Sequence, residues 1–283
     1  MEIIVGKESG FCFGVKRAVD GVKADVKNLD KLYCLGEIVH NEGVVNELEN
    51  LGVKFVEDLD EIEDESNVAI RAHGVDEKTY KIAESKRLKV RDYTCPKVAQ
   101  IHLKIKEKSN DGYTIILIGK KSHPETIGSM GYADIIYVIE TIDEIESLPK
   151  LSKVFSIVQT TFSMSKYLEI EKALKEKYPN IECLNTICAS TKNRQEECAK
   201  IAKEANFMII VGGKNSSNTK KLYEVACANC ENCIIIQDET DKQIEDCKKY
   251  DIIGIMSGAS TPIETVQKIV EKINSLCEVE NEL

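Results

Sequence analysis

The chain has 283 residues, 42% of them hydrophobic, and a formal net charge of -10 at pH 7. That is ample for a packed core and long enough for two or three small domains. With no basic stripe to offset it, the acidic balance excludes a nucleic-acid binder that neutralises phosphates broadly, so an anionic ligand has to be held by a dedicated pocket.

The N-terminal segment MEIIVGKESGFCFG has no basic region leading into an apolar run, and no segment approaches the roughly 18 to 20 apolar residues of a membrane span. These features point to the cytoplasm, with no membrane partner. In that reducing compartment, 11 cysteines suggest metal binding or redox chemistry rather than a disulfide framework.

MEIIVG reads as a first strand that joins the last unit of the chain. GFCFGVKRAV then carries Cys12 into a helix, and GEIVHNEG puts His40 in a loop. VAIRAHGV followed by DEKTYKIAESKRL is a strand, a loop with His73, and a helix. DYTCPKVAQIHLKI places Cys95 before Pro96 at a first helical position, with His102 inside the helix as a surface or packing residue. TIILIGKKSHPE then TIGSMGYA is again strand, loop and helix, the loop holding His123 and Glu125. VFSIVQTTFS ends a strand on Gln159 and Thr160, and NTICASTKNRQEE carries Cys188 towards a helix from about Asn193. FMIIVGGKNSSN with TKKLYEVACANC, and YDIIGIMSGAS with TPIETVQKIVEKINSL, complete the alternation, which means a parallel α/β architecture.

Cys12, Cys95 and Cys188 each sit at a strand-to-helix junction, where parallel α/β folds bind ligands. Their nearly even spacing suggests three similar α/β units: 13–95, 96–187 and 188–283, with strand 1–12 joining the third. Three thiolates on a cubane cluster leave one iron open to substrate, whereas four would close it. The rival cysteine signal is CANCENC, with Cys227, Cys230 and Cys233 spaced like ferredoxin ligands. No cysteine follows at Gln237 to complete that pattern, so the run reads as a helix-face thiol and small apolar residues at a strand entry, with metal binding as the alternative.

His40, His73 and His123, in loops, fit either a zinc site or a site for phosphate. Ser216, Ser217 and Asn218 in GGKNSSNT, and Ser260 in SGAST, serve equally as N-caps or as phosphate cradles at helix starts. Glu125 could deliver protons, with Gln159 and Thr160 placed to relay or orient them.

Together the segments GFCFGVKRAV, GEIVHN, RAHGV, TCP, SHPE, QTT, NTIC, NRQ, KNSSNT and SGAS, in this order, resemble the 4-hydroxy-3-methylbut-2-enyl diphosphate reductase family over essentially the whole chain. The resemblance implies three α/β domains with mostly parallel sheets, arranged as a trefoil around a central 4Fe-4S cluster ligated by Cys12, Cys95 and Cys188. It further implies a diphosphate surrounded by His40, His73, His123, Ser216, Ser217, Asn218 and Ser260, with Glu125 and Thr160 in proton delivery and Thr160 also at the substrate. Two electrons and two protons would remove the substrate hydroxyl as water, giving isopentenyl and dimethylallyl diphosphates. The electrons would come from a ferredoxin or flavodoxin type donor, and the protein would be a monomer that binds no nucleic acid and carries no RNA-binding-type domain after the reductase. Two features depart from the family pattern: CANCENC, and Tyr93 near Cys95, where a smaller residue is more usual.

Overall fold

The computed structural model describes residues 1–281, with side chains to residue 276. In chain order, β1 (Glu2–Val5) is followed by α1 (Phe13–Val26), β2 (Leu32–Leu35), α2 (Glu42–Asn50), β3 (Val53–Val56), β4 (Asn67–Ile70), α3 (Glu77–Ser85) and β5 (Lys89–Asp92). Next come α4 (Pro96–Asn110), β6 (Thr114–Ile118), α5 (Pro124–Met130), β7 (Ile136–Ile139), β8 (Val154–Val158), α6 (Met164–Lys177) and β9 (Glu182–Leu184). The last part is α7 (Ala189–Glu204), β10 (Phe207–Val211), α8 (Ser217–Cys227), β11 (Cys233–Ile236), β12 (Ile252–Ser257) and α9 (Ile263–Asn281).

These strands make three four-stranded sheets, ordered β3-β2-β4-β5, β7-β6-β8-β9 and β1-β12-β10-β11, and every pairing among the described residues is parallel. Read from its own first strand, each sheet has the same order: second, first, third, fourth. In the third sheet the fourth place, beside β12, is taken by β1. Inner strands are covered on both faces and are accordingly mostly apolar: LYCL, VFSIV and FMIIV are wholly buried. The edge strand β5, KVRD, is exposed along its length, its charges discouraging further pairing. The period of two is visible in β6, where Ile116 and Ile118 pack with Ile170 and Leu174 of α6, while Ile115 and Leu117 pack with Ile101 and Ile105 of α4.

The chain divides into two compact units. One comprises 14–39 and 43–188 and contains the first two sheets; the other comprises 1–13, 40–42 and the chain from 189, and contains the third. Among the described residues no helix is long and apolar enough to cross a membrane.

His102 is a packing residue, buried on α4 and stacked on Tyr132 with ring centroids 4.3 Å apart. Burial lowers its pKa to about 4, with Asp92 opposing weakly. The folded state therefore excludes a proton that the unfolded chain binds near pH 6.5, and stability is lost as pH falls from there towards 4. The expected result is that His102→Phe loses less melting temperature than the parent between pH 7 and pH 5, measured by circular dichroism.

Tyr93 is accommodated locally. Its hydroxyl donates to Asp25, and its ring lies against Gly21 of α1, where an added Cβ would meet the Tyr93 ring at 2.1 Å. Gly21→Ala should cost about 1–3 kcal/mol by overpacking. In a Tyr93→Ala background the same change should stabilise, since alanine is the better helix former by roughly 1 kcal/mol. Chemical denaturation of the four proteins checks the change of sign.

Candidate active site

The repeated sheet order sorts the sequence-derived residues by position. His40, His73, His123, Thr160, the 216–218 run and Ser260 follow β2, β4, β6, β8, β10 and β12, which are the first and third strands of their sheets. Between those two neighbouring strands the connections diverge to opposite sides, leaving the crevice at the strand ends where such sheets bind ligands. The three cysteines follow the strands in fourth place: Cys12 after β1, Cys95 after β5 and Cys188 after β9.

Each of the three also immediately precedes a helix, α1 starting at Phe13, α4 at Pro96 and α7 at Ala189. The start of α7 lies earlier than the sequence reading of about Asn193, because ASTK, composed of residues that read as loop, forms its first turn. Ser190 accepts from the Arg194 Nε one turn on, at 3.3 Å, and Thr191 is buried, so tertiary packing overrides propensity. Helix N-termini favour thiolates. All three cysteines are reduced and part-exposed, unlike the buried Cys34, Cys198, Cys230 and Cys247. As soft donors at such positions they fit an iron–sulfur group.

In the unit holding the first two sheets, the Cys95 N–H donates to the Ala72 carbonyl at 2.9 Å, tying it to the loop of His73. Gly14 of α1 backs directly onto this cysteine: a Cβ there would lie 2.5 Å from the Cys95 Sγ. The Cys188 N–H donates to the Thr160 carbonyl at 2.9 Å. Thr160 in turn holds Glu125, its N–H and its hydroxyl each donating to the carboxylate at 2.7 Å. His123 accepts the Glu125 N–H on Nδ1 at 3.2 Å and meets the His73 ring edge-on at 5.3 Å. His73, His123, Glu125, Thr160 and Cys188 thus form one connected group.

The sequence reading of Glu125 as a loop residue is corrected here. His123 is the N-cap and Pro124 the first residue of α5, so Glu125 lies in the first helical turn and is only 2% exposed. Burial pushes its carboxyl group up to about 7, against the lowering effect of the two Thr160 bonds. Gln159 supports the neighbourhood: its side-chain oxygen accepts from the Lys120 N–H at 3.0 Å and its amide donates to Thr161 at 2.9 Å.

In the unit holding the third sheet, Val211 and Ser257 are register partners at the ends of β10 and β12, so the loops after them run side by side. Ser216 caps α8, accepting the Thr219 N–H at 3.3 Å, so its N-cap role is real. Ser217 is part-exposed in the first turn, and Asn218 is buried with neither amide atom hydrogen-bonded among the described residues. The Ser260 hydroxyl donates to the His40 carbonyl at 3.2 Å, and Gly213 leaves room for that carbonyl, which a Cβ would approach to 2.6 Å. A buried amide without partners beside a helix N-terminus suits a polar anionic ligand.

Three residues outside the sequence-derived set hold these loops. The buried Arg194 guanidinium donates to the Ser257 carbonyl at 3.1 Å and the Gly10 carbonyl at 2.9 Å, and Glu197 accepts the Lys7 and Glu8 N–H groups at 2.8 and 2.9 Å. Thr219 lies under both glycine turns, within reach of a Cβ added at Gly212 or Gly258. NRQ was the available signal for Arg194, but a motif does not reveal that its arginine is buried.

The family model described as LytB protein matches residues 3–274. A protein of Caldanaerobacter subterraneus subsp. tengcongensis named 4-hydroxy-3-methylbut-2-enyl diphosphate reductase is 39% identical over 281 residues, covering 98% of each chain. A Clostridioides difficile protein of the same name is 40% identical over 280 residues, covering 98% of this chain and 100% of its own. The solved E-1-hydroxy-2-methyl-but-2-enyl-4-diphosphate reductase from Plasmodium falciparum superposes with a TM-score of 0.92 at 34% identity, over 95% of this chain and 87% of that one. By sequence along nearly its whole length, and by fold, this chain belongs to the LytB protein family, a family of reductases.

Proposed function

We propose that this chain reduces 4-hydroxy-3-methylbut-2-enyl diphosphate with two electrons and two protons, releasing the hydroxyl as water and giving isopentenyl and dimethylallyl diphosphates. Cys12, Cys95 and Cys188 hold a 4Fe-4S cluster, which when bound supplies electrons and an open iron acting as Lewis acid towards the substrate hydroxyl. His40, His73, His123, Ser216, Ser217, Asn218 and Ser260 hold the diphosphate, with the Asn218 amide, unbonded among the described residues, as a ready donor. Thr160 orients the Glu125 carboxyl group, and its hydroxyl is the group through which a proton passes towards the departing oxygen.

The observation that carries this reading is the linkage of Glu125 to Cys188 through Thr160 alone, one residue bonding to both. A carboxyl group neutral up to about pH 7, one residue from a proposed cluster ligand, is a proton source where the chemistry would need one. The domains of this reading are 13–95, 96–187 and 188–283 with strand 1–12. It acts in the cytoplasm as a monomer, with electrons from a ferredoxin or flavodoxin type donor.

The test is an iron and sulfide assay on anaerobically prepared protein, combined with oxidation of a reduced viologen dye. Iron and sulfide in equal amounts, with dye oxidation that depends on the diphosphate substrate, is the expected result. Zinc in place of iron, or oxidation indifferent to substrate, would reject the reading.

A further inference from the structure

One face of α1 follows the chain that leads into Cys95. Gly14, Arg17, Gly21 and Asp25 stand at i, i+3, i+7 and i+11, a single stripe of that helix. Each meets the segment 91–95, which runs the opposite way along the stripe, all within the unit of the first two sheets. Asp25 accepts from the Tyr93 hydroxyl and lies 3.8 Å from the Arg91 Nε, and Gly21 backs the Tyr93 ring. Arg17 donates to the Thr94 carbonyl at 3.1 Å and to the Asp92 carbonyl at 3.4 Å. Gly14 meets Cys95 itself: the three atoms nearest a Cβ added there would be the Cys95 Sγ at 2.5 Å, Cβ at 3.2 Å and Cα at 4.0 Å.

The N–H groups of this segment are held from other directions. Tyr93 donates to the Ile70 carbonyl at 3.1 Å, Thr94 to the Asp92 carboxylate at 2.8 Å and Cys95 to the Ala72 carbonyl at 2.9 Å. The carbonyls of Asp92 and Thr94 go to Arg17, whose planar fork of donors reaches both where a single ammonium would reach one. Glycine is the poorest helix former after proline, yet α1 carries Gly14 buried in its first turn, where it leaves room for a sulfur. We infer that α1 seats Cys95: Gly14 and Arg17 are positioning residues that fix where its sulfur points, Gly14 from behind and Arg17 through the two carbonyls before it. The use of this seat rests on the reading of Cys95 as a cluster ligand. Groups that orient a metal ligand change how firmly the metal is held, by about 10- to 100-fold.

The experiment compares the parent with Gly14→Ala and Arg17→Met. In the cluster-free full chain, iodoacetamide labelling is followed on the tryptic peptide 92–97, whose one cysteine is Cys95. Gly14→Ala should label faster than the parent, because the new methyl group turns the sulfur away from the helix. Its melting temperature should stay within about 4 °C of the parent, since the sulfur can swing aside and alanine is the better helix former. In reconstituted protein both variants should release iron to a chelator about 10- to 100-fold faster than the parent. Arg17→Lys, with its charge kept and one donor in place of a fork, should fall between the parent and Arg17→Met. Labelling of Gly14→Ala at the parent's rate, or iron release at the parent's rate from either variant, would overturn the inference. The labelling needs no metal, so a parent that takes up no iron would reject the cluster reading while the labelling still decides the seat.

Discussion

Glu125→Gln should keep iron, sulfide and substrate affinity while losing turnover by about 10²- to 10⁴-fold, the range for removal of a positioned proton donor. The amide preserves the acceptor for the Thr160 N–H, and the Thr160 hydroxyl can rotate to accept from the new NH2, so geometry survives while the proton is lost. In the parent, turnover should fall as pH rises through about 7, where the buried carboxyl group ionises, and the variant should show a low, flat profile. The same ionisation acts on folding. A carboxyl group whose folded pKa of about 7 exceeds its ordinary 4.5 stabilises the fold fully below 4.5, and that contribution is lost as pH rises through 7. It amounts to on the order of 3 kcal/mol. Glu125→Gln should therefore melt higher than the parent at pH 8 and gain nothing at pH 5. Unchanged turnover in the variant would remove Glu125 from the proton path.

The second large effect is expected at the cysteines. Cys12→Ser, Cys95→Ser and Cys188→Ser should each abolish the visible absorbance of the cluster and all turnover, because serine is a harder and far weaker-binding donor for iron. Cys230→Ser should retain both, its thiol being spent on the backbone carbonyls of Ala205 and Asn232. Loss of absorbance in Cys230→Ser, with the other three intact, would move the cluster to CANCENC.

The parallel α/β class and the three sheet-forming units could be read from alternating apolar runs and loops, since strands such as VFSIV and FMIIV are long, apolar and β-branched enough to be unambiguous. The junction positions of Cys12, Cys95 and Cys188 were equally legible from sequence. Less legible was anything depending on what covers a residue. Glu125 reads as a loop residue in SHPE, and only the cap at His123 and the packing of α5 bury it. The early start of α7 was hidden by ASTK, whose propensities favour a turn. The services of Gly14 to Cys95 and of Gly21 to Tyr93 concern space between helix and neighbour, which no local pattern encodes. The shared strand order, which separates the cysteine loops from the histidine and serine loops, needed the pairings themselves.

That β1 pairs with β12 has a consequence for how the protein is made. The strand at residue 2 leaves the ribosome about 250 residues ahead of its partner at residue 252. At about 5 to 20 residues per second the interval is on the order of tens of seconds, during which two completed sheets can fold while EIIV waits with its backbone unpaired. The loop bearing Cys12 is fixed through the Ala259 carbonyl, and so it too stays unformed until then. If Cys12 holds a cluster as proposed, its loading waits until β12 has emerged, and a nascent chain stalled before β12 would expose both a sticky strand and an unguarded thiol.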